Sequence, residues 1–214
     1  MTDKVDGFAK LRREYGVLSL DTEKLELSPF KLFKLWFEDI LKTELIDPTA
    51  MVLSTVDEKG MPDSRVVLLK GIEDEAFIFY SNYNSAKGVQ LKSNPKAALN
   101  FFWPNLSRQV RIRGEIHLLS PKKSDEYFAS RPEESQISAI VSKQSEPIEN
   151  RFFLEKEIAK LKEQHQLLKR PEYWGGYMLK PLEIEFWQGR DNRLHDRVFY
   201  YKDEERWKHC ILAP

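Results

Sequence analysis

Three short β-strand patterns follow one another in the stretch Ala50-Met-Val-Leu-Ser-Thr-Val-Asp-Glu-Lys-Gly60-Met-Pro-Asp-Ser-Arg-Val-Val-Leu-Leu-Lys70-Gly-Ile-Glu-Asp-Glu-Ala-Phe-Ile-Phe-Tyr80. The runs are Met51–Val56, Ser64–Leu69 and Ala76–Tyr80, and the turn sequences Asp-Glu-Lys-Gly and Ile-Glu-Asp-Glu separate them. Short apolar runs between turn residues are typical of strands in a sheet. The stretch therefore predicts the beginning of a β-rich core.

Further strands and several helices are predicted on both sides of this stretch. The expected strands are Ala97–Trp103, Gln109–Leu118, Tyr177–Lys180, Ile184–Gln188, Arg197–Tyr201 and Trp207–Ile211. The expected helices run from Ser28-Pro29 to about Leu45, over Ser85–Ser93, from Ser120-Pro121 to Ser130, and from Pro147 to about Lys169. Short strands with helices between and after them indicate the α+β class, with a closed or partly closed antiparallel barrel as its core.

The composition is that of a globular protein with one core. A chain of 214 residues can bury a sizeable core, and its 41% hydrophobic and 12% aromatic fractions are unlike those of disordered chains. Residues 1–27 are charged and lack clear periodicity, so we predict an N-terminal segment followed by a single domain over residues 28–214. Basic and acidic residues number 34 each, and the zero net charge predicts no general attraction to nucleic acid.

Several other classes are disfavoured by what the sequence lacks. The single cysteine, Cys210, excludes an internal disulfide and favours a reducing, cytoplasmic location. The N-terminus does not resemble a signal peptide and no apolar run approaches a membrane span, so no membrane association is expected. The four histidines lack metal-ligand spacing, which predicts no metal site. Neither the Rossmann nor the P-loop glycine fingerprint occurs.

The segment Glu185-Phe-Trp-Gln-Gly-Arg-Asp-Asn-Arg-Leu-His-Asp-Arg197 concentrates side chains that could bind a ligand. If it forms two strands and a turn, Arg193, His195 and Arg197 alternate on one face. Two cations flanking an imidazole suit a planar anionic ligand, and Trp187 adds a flat aromatic surface. A plain β-hairpin with a polar outer face explains the same alternation. This segment alone therefore leaves both interpretations open, a ligand site and a hairpin surface.

An upstream strand pattern, Arg65-Val-Val-Leu-Leu-Lys70, carries a cation at each end. Because the two positions differ by an odd number, a regular strand places Arg65 and Lys70 on opposite faces. They would then serve different parts of a ligand, or different ligands. A buried strand whose basic ends lie in water is the alternative interpretation.

Two more segments combine cations with hydroxyl groups. Tyr80-Ser-Asn-Tyr-Asn-Ser-Ala-Lys87 lies between a predicted strand and a predicted helix, where backbone N–H groups suit a phosphate, although ordinary capping also explains it. Tyr127 and Arg131 are four residues apart and share a helix face if the helix persists that far. With Ser135 they suit a phosphate too, and a charged helix end is the alternative.

Taken together, the motifs of nearly the whole chain resemble the pyridoxamine/pyridoxine 5′-phosphate oxidase family. The matching segments are Arg-Arg-Glu-Tyr at 12–15, Asp-Pro-Thr-Ala-Met at 47–51, Arg-Val-Val-Leu-Leu-Lys at 65–70, Arg-Gln-Val at 108–110, Ser-Arg-Pro at 130–132, Ser-Gln-Ile at 135–137, Val-Ser-Lys-Gln-Ser at 141–145, Trp-Gly-Gly at 174–176, Ile-Glu-Phe-Trp-Gln-Gly at 184–189, Arg-Leu-His-Asp-Arg at 193–197 and the closing Leu-Ala-Pro. Each motif is weak alone, whereas so many in the same order are highly specific.

The resemblance implies an FMN-binding split β-barrel with surrounding helices that works as a homodimer, with the flavin at the subunit interface. The residues implied to hold FMN are Arg65, Val67, Leu68, Lys70, Tyr80, Ser81, Lys87 and Gln109 of one subunit, and Gln144, Ser145, Trp187 and Arg197 of the other. Those implied to bind the substrate phosphate are Lys70, Tyr127, Arg131 and Ser135. Arg193 and His195 would lie over the pyridine ring, and Arg12 and Tyr15 in an N-terminal lid.

The activity implied is oxidation of pyridoxamine or pyridoxine 5′-phosphate to pyridoxal 5′-phosphate, with O2 as acceptor and H2O2 as product, in vitamin B6 metabolism. Arg193 and His195 would orient the substrate, and Arg197 would stabilise the reduced flavin. A flavin- or pyridoxal-phosphate-binding carrier on the same barrel is the alternative, as is a relative that uses F420 or haem. The complete set of predicted substrate residues disfavours both.

One position departs from the family pattern. The family commonly has Ser-Arg-Lys where this chain has Ser85-Ala-Lys87. A missing arginine removes one possible charge-assisted contact to the FMN phosphate, typically worth about 1.5–3 kcal/mol. We therefore expect weaker retention of FMN unless another cation substitutes.

Overall fold

The computed structural model describes residues 14–16, 18–20, 25, 28–163 and 167–214. Its helices are α1 (Pro29–Leu41), α2 (Ala86–Ser93), α3 (Pro121–Ser130), α4 (Glu133–Val141) and α5 (Arg151–Glu163). Its strands are β1 (Ala50–Val56), β2 (Pro62–Leu68), β3 (Gly71–Glu73), β4 (Ala76–Asn82), β5 (Lys96–Trp103), β6 (Arg108–Leu118), β7 (Trp174–Gln188), β8 (Asp196–Asp203) and β9 (Arg206–Ile211). Antiparallel strand pairs with helices between them confirm the predicted α+β class.

The first helix starts where the sequence predicts and ends earlier. Ser28 is the N-cap residue and Pro29 occupies the first turn, where its missing N–H costs nothing. The expected end near Leu45 is wrong, because α1 stops at Leu41. Thr43 donates both its N–H and its hydroxyl to the carbonyl of Ile40, which competes with continuation of the helix.

The chain divides into two compact units. The terminal unit comprises residues 1–48, 101–111 and 183–214, and the central unit comprises residues 49–100 and 112–182. The prediction of a single domain over residues 28–214 stays a prediction.

In the terminal unit, the end of β7 pairs antiparallel with β8, and β8 pairs with β9. The buried face of α1 packs its aromatic side chains against the residues of β5 and β7 in this unit. Phe33 lies 5.1 Å from Phe101 between ring centres, and Trp36 lies 5.2 Å from Phe186 in an edge-to-face contact. Aromatic burial of this kind is a large source of stability.

In the central unit, the sheet order is β2-β1-β5-β6-β7-β4-β3. β1, predicted as a short strand, alternates half-buried and buried residues. Gly114 lets β6 approach β7 closely, since a Cβ at this position would lie 2.1 Å from the carbonyl oxygen of Lys180. Gly88 in α2 has an equally close approach to the carbonyl oxygen of Tyr83.

Several elements differ from the sequence-based prediction in extent or were not predicted. β7 is one strand where two were expected, because Pro181 removes a single donor from the ladder without ending it. The helix expected from Pro147 to Lys169 covers only Arg151–Glu163 in the described residues. The helix α4 and the short strand β3 were not predicted. Both are short, and short elements depend on tertiary packing more than on local pattern.

Within the described ranges, no helix is long and apolar enough to cross a membrane. The same ranges contain no group of three or more His, Cys, Asp or Glu side chains arranged to hold a metal ion.

Candidate ligand-binding site

A cavity of about 480 Å³ lies in the central unit. It brings together residues from the end of β2, from β4, from the start of α2 and from α3 and α4. Its lining includes ten of the residues predicted from the resemblance: Val67, Leu68, Lys70, Tyr80, Ser81, Lys87, Tyr127, Arg131, Ser135 and Gln144. Residues expected to bind the flavin and residues expected to bind the substrate phosphate therefore line the same cavity.

Lys87 supplies a buried positive charge to this cavity. Its side chain lies in the first turn of α2 and the residue is only 8% exposed. The ammonium donates to Ser85 Oγ at 3.0 Å and to Gln144 Oε1 at 2.9 Å, and both acceptors are neutral. Burial, together with the smaller effect of the positive charge of Arg65, lowers the pKa of Lys87 to about 8. An anionic ligand would offset this cost.

The segment around Gln144 and Ser145 lies against the start of α2. Ser145 Oγ accepts a hydrogen bond from the N–H of Ala86 at 3.1 Å, and Gln144 contacts Lys87 as described above. The backbone of Ser145 has a φ of +76°, which is uncommon for a residue other than glycine. These contacts occur within one chain. The implied approach of Gln144 and Ser145 to flavin held by another subunit stays a prediction.

Arg65 points away from the cavity lining toward β1 and α2. Its guanidinium donates to Thr55 Oγ1 at 2.5 Å and to Gln90 Oε1 at 3.1 Å, and it forms an ion pair with Asp63. A hydrogen bond from Gln90 lowers the pKa of Asp63. Arg65 and the cavity residue Lys70 thus have different surroundings, but β2 ends at Leu68, so the strand alternation assumed for these two residues does not extend to Lys70. Asp63 was not singled out from the sequence, although it lies two residues before Arg65 and therefore on the same strand face.

An aromatic wall forms one side of the cavity. The rings of Tyr80 and Tyr127 are stacked with centres 3.7 Å apart, and Tyr80 lies 5.7 Å from Trp174. Burial, followed by the effect of Tyr127, raises the pKa of Tyr80 to about 12, so its hydroxyl is a hydrogen-bond donor at neutral pH. The wall offers flat apolar surface beside polar hydroxyl groups.

Arg131 is a second cation in the cavity lining, and it is partly buried. Its Nη1 atom is buried and has no hydrogen-bond partner among the described residues. Burial lowers the pKa of Arg131, which reflects the lost hydration of its charge. The predicted helix end at Ser130 is confirmed: α3 ends there and Arg131 is its C-cap, because Pro132 follows. Tyr127 and Arg131 nevertheless line the same cavity.

The remaining substrate-binding candidates of the central unit also reach the cavity. Lys70 is exposed, follows the end of β2, and its backbone N–H bonds the carbonyl of Ile78 at 2.8 Å. Ser135 lies in the first turn of α4, and its N–H bonds the carbonyl of Pro132 at 2.9 Å. Arg12 lies outside the described residues.

A second cluster of predicted residues lies in the terminal unit. The ring of His195 lies 4.6 Å from that of Trp187 and 5.3 Å from that of Tyr15. The guanidinium carbon of Arg193 lies 5.9 Å from the centre of the Tyr15 ring. The predicted strand alternation of Arg193, His195 and Arg197 is wrong, because β8 begins only at Asp196. A tight turn with a φ of +63° at Arg193 instead brings the side chains of Arg193 and His195 to the ring of Tyr15.

Short-range hydrogen bonds fix this turn and the segment around Tyr15. Asp191 Oδ1 accepts from the N–H of Gly16 at 2.7 Å. The N–H of Arg190 donates to His195 Nδ1 at 3.1 Å, which places the ring proton of the neutral imidazole on Nε2. Burial and the charge of Arg193 lower the pKa of His195, so the neutral form is favoured near pH 7.

Arg197 is anchored by a carboxylate that the sequence did not single out. Glu185 is 6% exposed and accepts from Arg197 Nε at 2.9 Å, while its other oxygen lies 3.2 Å from Arg111. Trp187 lies opposite Arg197 in the β7–β8 register. Position alone could have indicated Glu185, since it lies two residues before Trp187 and therefore on the same strand face.

A buried amide fixes the end of β7. Gln188 is 1% exposed, accepts from Arg108 Nε at 2.9 Å and donates to the carbonyl of Leu106 at 2.9 Å. Arg108 also pairs with Asp39 at 3.0 Å. Gln109, predicted to contact FMN, is the next residue in β6 and is half-buried. The hydrogen bonds of Gln188 and Arg108 hold the segments that carry Gln109 and Trp187. Gln188 and Arg108 themselves are not among the residues predicted to bind FMN or substrate.

Comparisons with known proteins agree with these features. A family model described as pyridoxamine 5′-phosphate oxidase matches residues 37–165, and one described as pyridoxine 5′-phosphate oxidase C-terminal dimerisation region matches residues 174–214. The pyridoxine/pyridoxamine 5′-phosphate oxidase of Legionella pneumophila (strain Lens) is 58% identical over 213 residues, which are 99% of each chain. That of Leptospira interrogans serovar Lai is 46% identical over 209 residues, covering 96% of this chain and 98% of the relative.

Two solved structures have the same fold. PhzG from Burkholderia lata 383, solved in complex with tetrahydrophenazine-1-carboxylic acid, has a TM-score of 0.88 and 29% identity, and covers 92% of this chain and 98% of its own. A pyridoxamine 5′-phosphate oxidase-related FMN-binding protein from Nostoc punctiforme PCC 73102 has a TM-score of 0.72 at 16% identity, with 89% and 100% covered. The second likeness concerns the fold alone.

The fold and the cavity define a split β-barrel protein with a cationic, aromatic-walled binding site. Within that class the matched family models and the relatives are decisive. The chain belongs to the pyridoxamine 5′-phosphate oxidase family.

Proposed function

We propose that the protein is an FMN-dependent oxidase that converts pyridoxamine or pyridoxine 5′-phosphate to pyridoxal 5′-phosphate, with O2 as acceptor and H2O2 as product. The observation that carries the proposal is the cavity that holds two partly or fully buried cations, Lys87 and Arg131, beside stacked aromatic rings. Two phosphorylated, planar ligands need two cationic positions and flat apolar surface. Family membership supports the same reaction.

The residues present fit FMN. The buried ammonium of Lys87 has only neutral hydrogen-bond acceptors, and the N-terminal N–H groups of α2 lie beside it, so a phosphate would be favoured there. Ser81 and Gln144 add further polar groups, at 3.4 Å from one another. The other residues that would hold FMN are Arg65, Val67, Leu68, Lys70, Tyr80, Gln109, Ser145, Trp187 and Arg197.

The substrate phosphate would be bound by Arg131 with Lys70, Tyr127 and Ser135. The buried Nη1 atom of Arg131 is a donor that a phosphate oxygen would satisfy. Binding at this end fixes the orientation of the ring, which lowers the entropic part of the barrier. Arg193 would cover the ring, and His195 would donate from Nε2 to the substituent at C4′ and hold it in place.

The chemistry that FMN supplies when bound is two-electron oxidation at the C4′ carbon of the substrate, followed by return of the electrons to O2. Arg197, oriented by Glu185, would place positive charge where the reduced cofactor becomes negative. For the amine substrate, the balanced reaction consumes one O2 and one H2O and releases NH3 and H2O2.

We further propose that the protein acts as a homodimer in the cytoplasm, with a lid formed by residues 1–27 that includes Arg12 and Tyr15. The match to the family's C-terminal dimerisation region over residues 174–214 supports the dimer. The contact of Tyr15 with Trp187 and His195 supports the lid.

The test is peroxide release by FMN-loaded protein with each of the two phosphorylated substrates, measured together with formation of pyridoxal 5′-phosphate. Equal amounts of aldehyde and peroxide are expected. Arg193→Ala should retain FMN and lose most turnover, since its side chain orients substrate without touching the cofactor phosphate. Stable binding of FMN without peroxide formation by the wild type would favour the carrier alternative.

A further inference from the structure

The indole of Trp174 lies directly against the guanidinium of Arg131. The guanidinium carbon is 4.6 Å from the centre of the indole ring, and the tryptophan is 7% exposed. Phe128 packs edge-on against the same indole at 5.4 Å. Trp174 lines the cavity but belongs to neither of the residue sets assigned above to FMN or to substrate.

The position of Trp174 is fixed through its backbone. Its carbonyl accepts from Arg170 Nη1 at 2.6 Å, and its N–H donates to the carbonyl of Pro171 at 3.0 Å. Arg170 is in turn held by an ion pair with Asp125 at 2.6 Å. Trp174 also pairs with Asn82 in the β4–β7 register. The indole is therefore a rigid surface against which a side chain can be oriented.

A guanidinium stacked on an aromatic face keeps its in-plane donors for other partners. The π-face compensates part of the lost hydration without consuming an N–H group. A carboxylate in the same place would occupy those donors and neutralise the charge. The Nη1 atom of Arg131 is buried and has no hydrogen-bond partner among the described residues. It is therefore available to donate to a ligand.

We propose that Trp174 is the positioning residue that holds Arg131 flat, with its donors directed to the phosphate ester of the substrate. Trp174 thereby contributes to the preference for phosphorylated over unphosphorylated substrate. The inference rests on the proposed function and adds a specificity determinant to it.

The test compares wild type, Trp174→Phe and Trp174→Leu on pyridoxamine 5′-phosphate and on pyridoxamine. For Trp174→Leu, KM for the phosphorylated substrate should rise about 3- to 30-fold, the range expected from losing a cation–π contact. Its kcat should change little, and kcat/KM should fall much less for pyridoxamine than for pyridoxamine 5′-phosphate. Trp174→Phe should be intermediate, because phenylalanine binds cations less well than tryptophan.

An equal loss on both substrates would mean that Trp174 only supports the fold, and this would overturn the proposal. FMN affinity, measured for each variant, should remain near wild type, whereas the melting temperature of Trp174→Leu should fall because a buried side chain is shortened. If Trp174→Leu does not fold, Trp174→Phe decides: an unchanged ratio of the two kcat/KM values overturns the proposal.

A double-mutant cycle with Arg131→Met separates this inference from the proposed function. If Trp174 acts through Arg131, Trp174→Leu should have little further effect on KM in the Arg131→Met background. Additive effects would overturn the positioning role while leaving the phosphate clamp intact. If Arg131→Met itself leaves KM unchanged, the assignment of the phosphate clamp fails instead.

Discussion

Burial of Lys87 makes ligand binding by this chain sensitive to pH. The lysine has neutral hydrogen-bond acceptors, and burial lowers its pKa to about 8, so it is mostly charged at pH 7 and mostly neutral at pH 9.5. A bound phosphate would stabilise the charged form and raise this pKa again. Binding above pH 8 must therefore be accompanied by uptake of a proton.

We expect the affinity of the FMN-free protein for FMN to fall as pH rises from 7.5 to 9.5, by up to about tenfold per pH unit above 8. Equilibrium titration of flavin fluorescence at each pH measures this. Lys87→Met should bind FMN more weakly at pH 7.5 and lack the pH dependence. A wild-type affinity constant across this range would show that Lys87 does not titrate with binding.

Ala86 can be tested separately, since it is exposed at the first position of α2. Ala86→Arg should tighten FMN binding by about 10- to 100-fold if the new guanidinium reaches the phosphate, as for one charge-assisted hydrogen bond. Ala86→Gln has a similar reach without the charge and should give a much smaller gain. No gain with arginine would mean that Lys87 and Arg65 already satisfy this site.

Close approach of neighbouring elements gives two glycines structural roles. In α2, Gly88 allows the helix start to approach the carbonyl of Tyr83, which places Lys87 at the cavity. In the sheet, Gly114 allows β6 to lie near the backbone of β7 at Lys180 and Pro181. In both places the opposing atoms belong to the backbone and cannot move aside as a flexible side chain would.

Gly114→Ala should destabilise the protein by about 3 kcal/mol or more, because the added methyl group would overlap a backbone carbonyl and disrupt strand pairing. Gly71→Ala is the matched control, since its nearest atom would be the side-chain Ile78 Cδ1 at 4.0 Å. It should change stability by less than about 1 kcal/mol. Urea unfolding followed by circular dichroism measures both, and equal effects would contradict the close-approach argument.

Exposed apolar side chains on the single chain are consistent with a homodimer. Phe102 is 57% exposed although it lies in β5 between two buried aromatic residues, Phe101 and Trp103. One exposed aromatic side chain is common on protein surfaces, so Phe102 is a candidate interface residue only in combination with other observations. The match over residues 174–214 to a dimerisation region points to the same kind of assembly.

Phe102→Lys should shift the protein from dimer toward monomer in sedimentation velocity experiments. FMN affinity should fall in parallel if each flavin contacts both chains. Leu41→Lys is the control, because Leu41 is also 57% exposed but lies at the end of a helix. A Phe102→Lys protein that stays dimeric and keeps its FMN would exclude this residue from the interface.

Local patterns predicted most elements because each was visible within a few residues. The position of β1 follows from a short apolar run before a turn, and the Ser28-Pro29 start of α1 and the capping of α2 by Ser85 follow from cap chemistry. The prediction failed at Arg193 and His195, where regular alternation was assumed. There the chain forms a tight turn with positive φ at a non-glycine residue, which sequence period does not reveal.

The amino-acid sequence alone predicted the α+β class, most strand positions and which cationic residues are site candidates. These depend on local periodicity and on matching motifs. Folding in three dimensions decided which groups share a cavity. Lys87, Arg131 and Trp174 are far apart in sequence, yet line one site. It also decided the pairing of Arg197 in β8 with Glu185 in β7. Burial, charge compensation and pKa depend on distances across the fold, and no local pattern contains them.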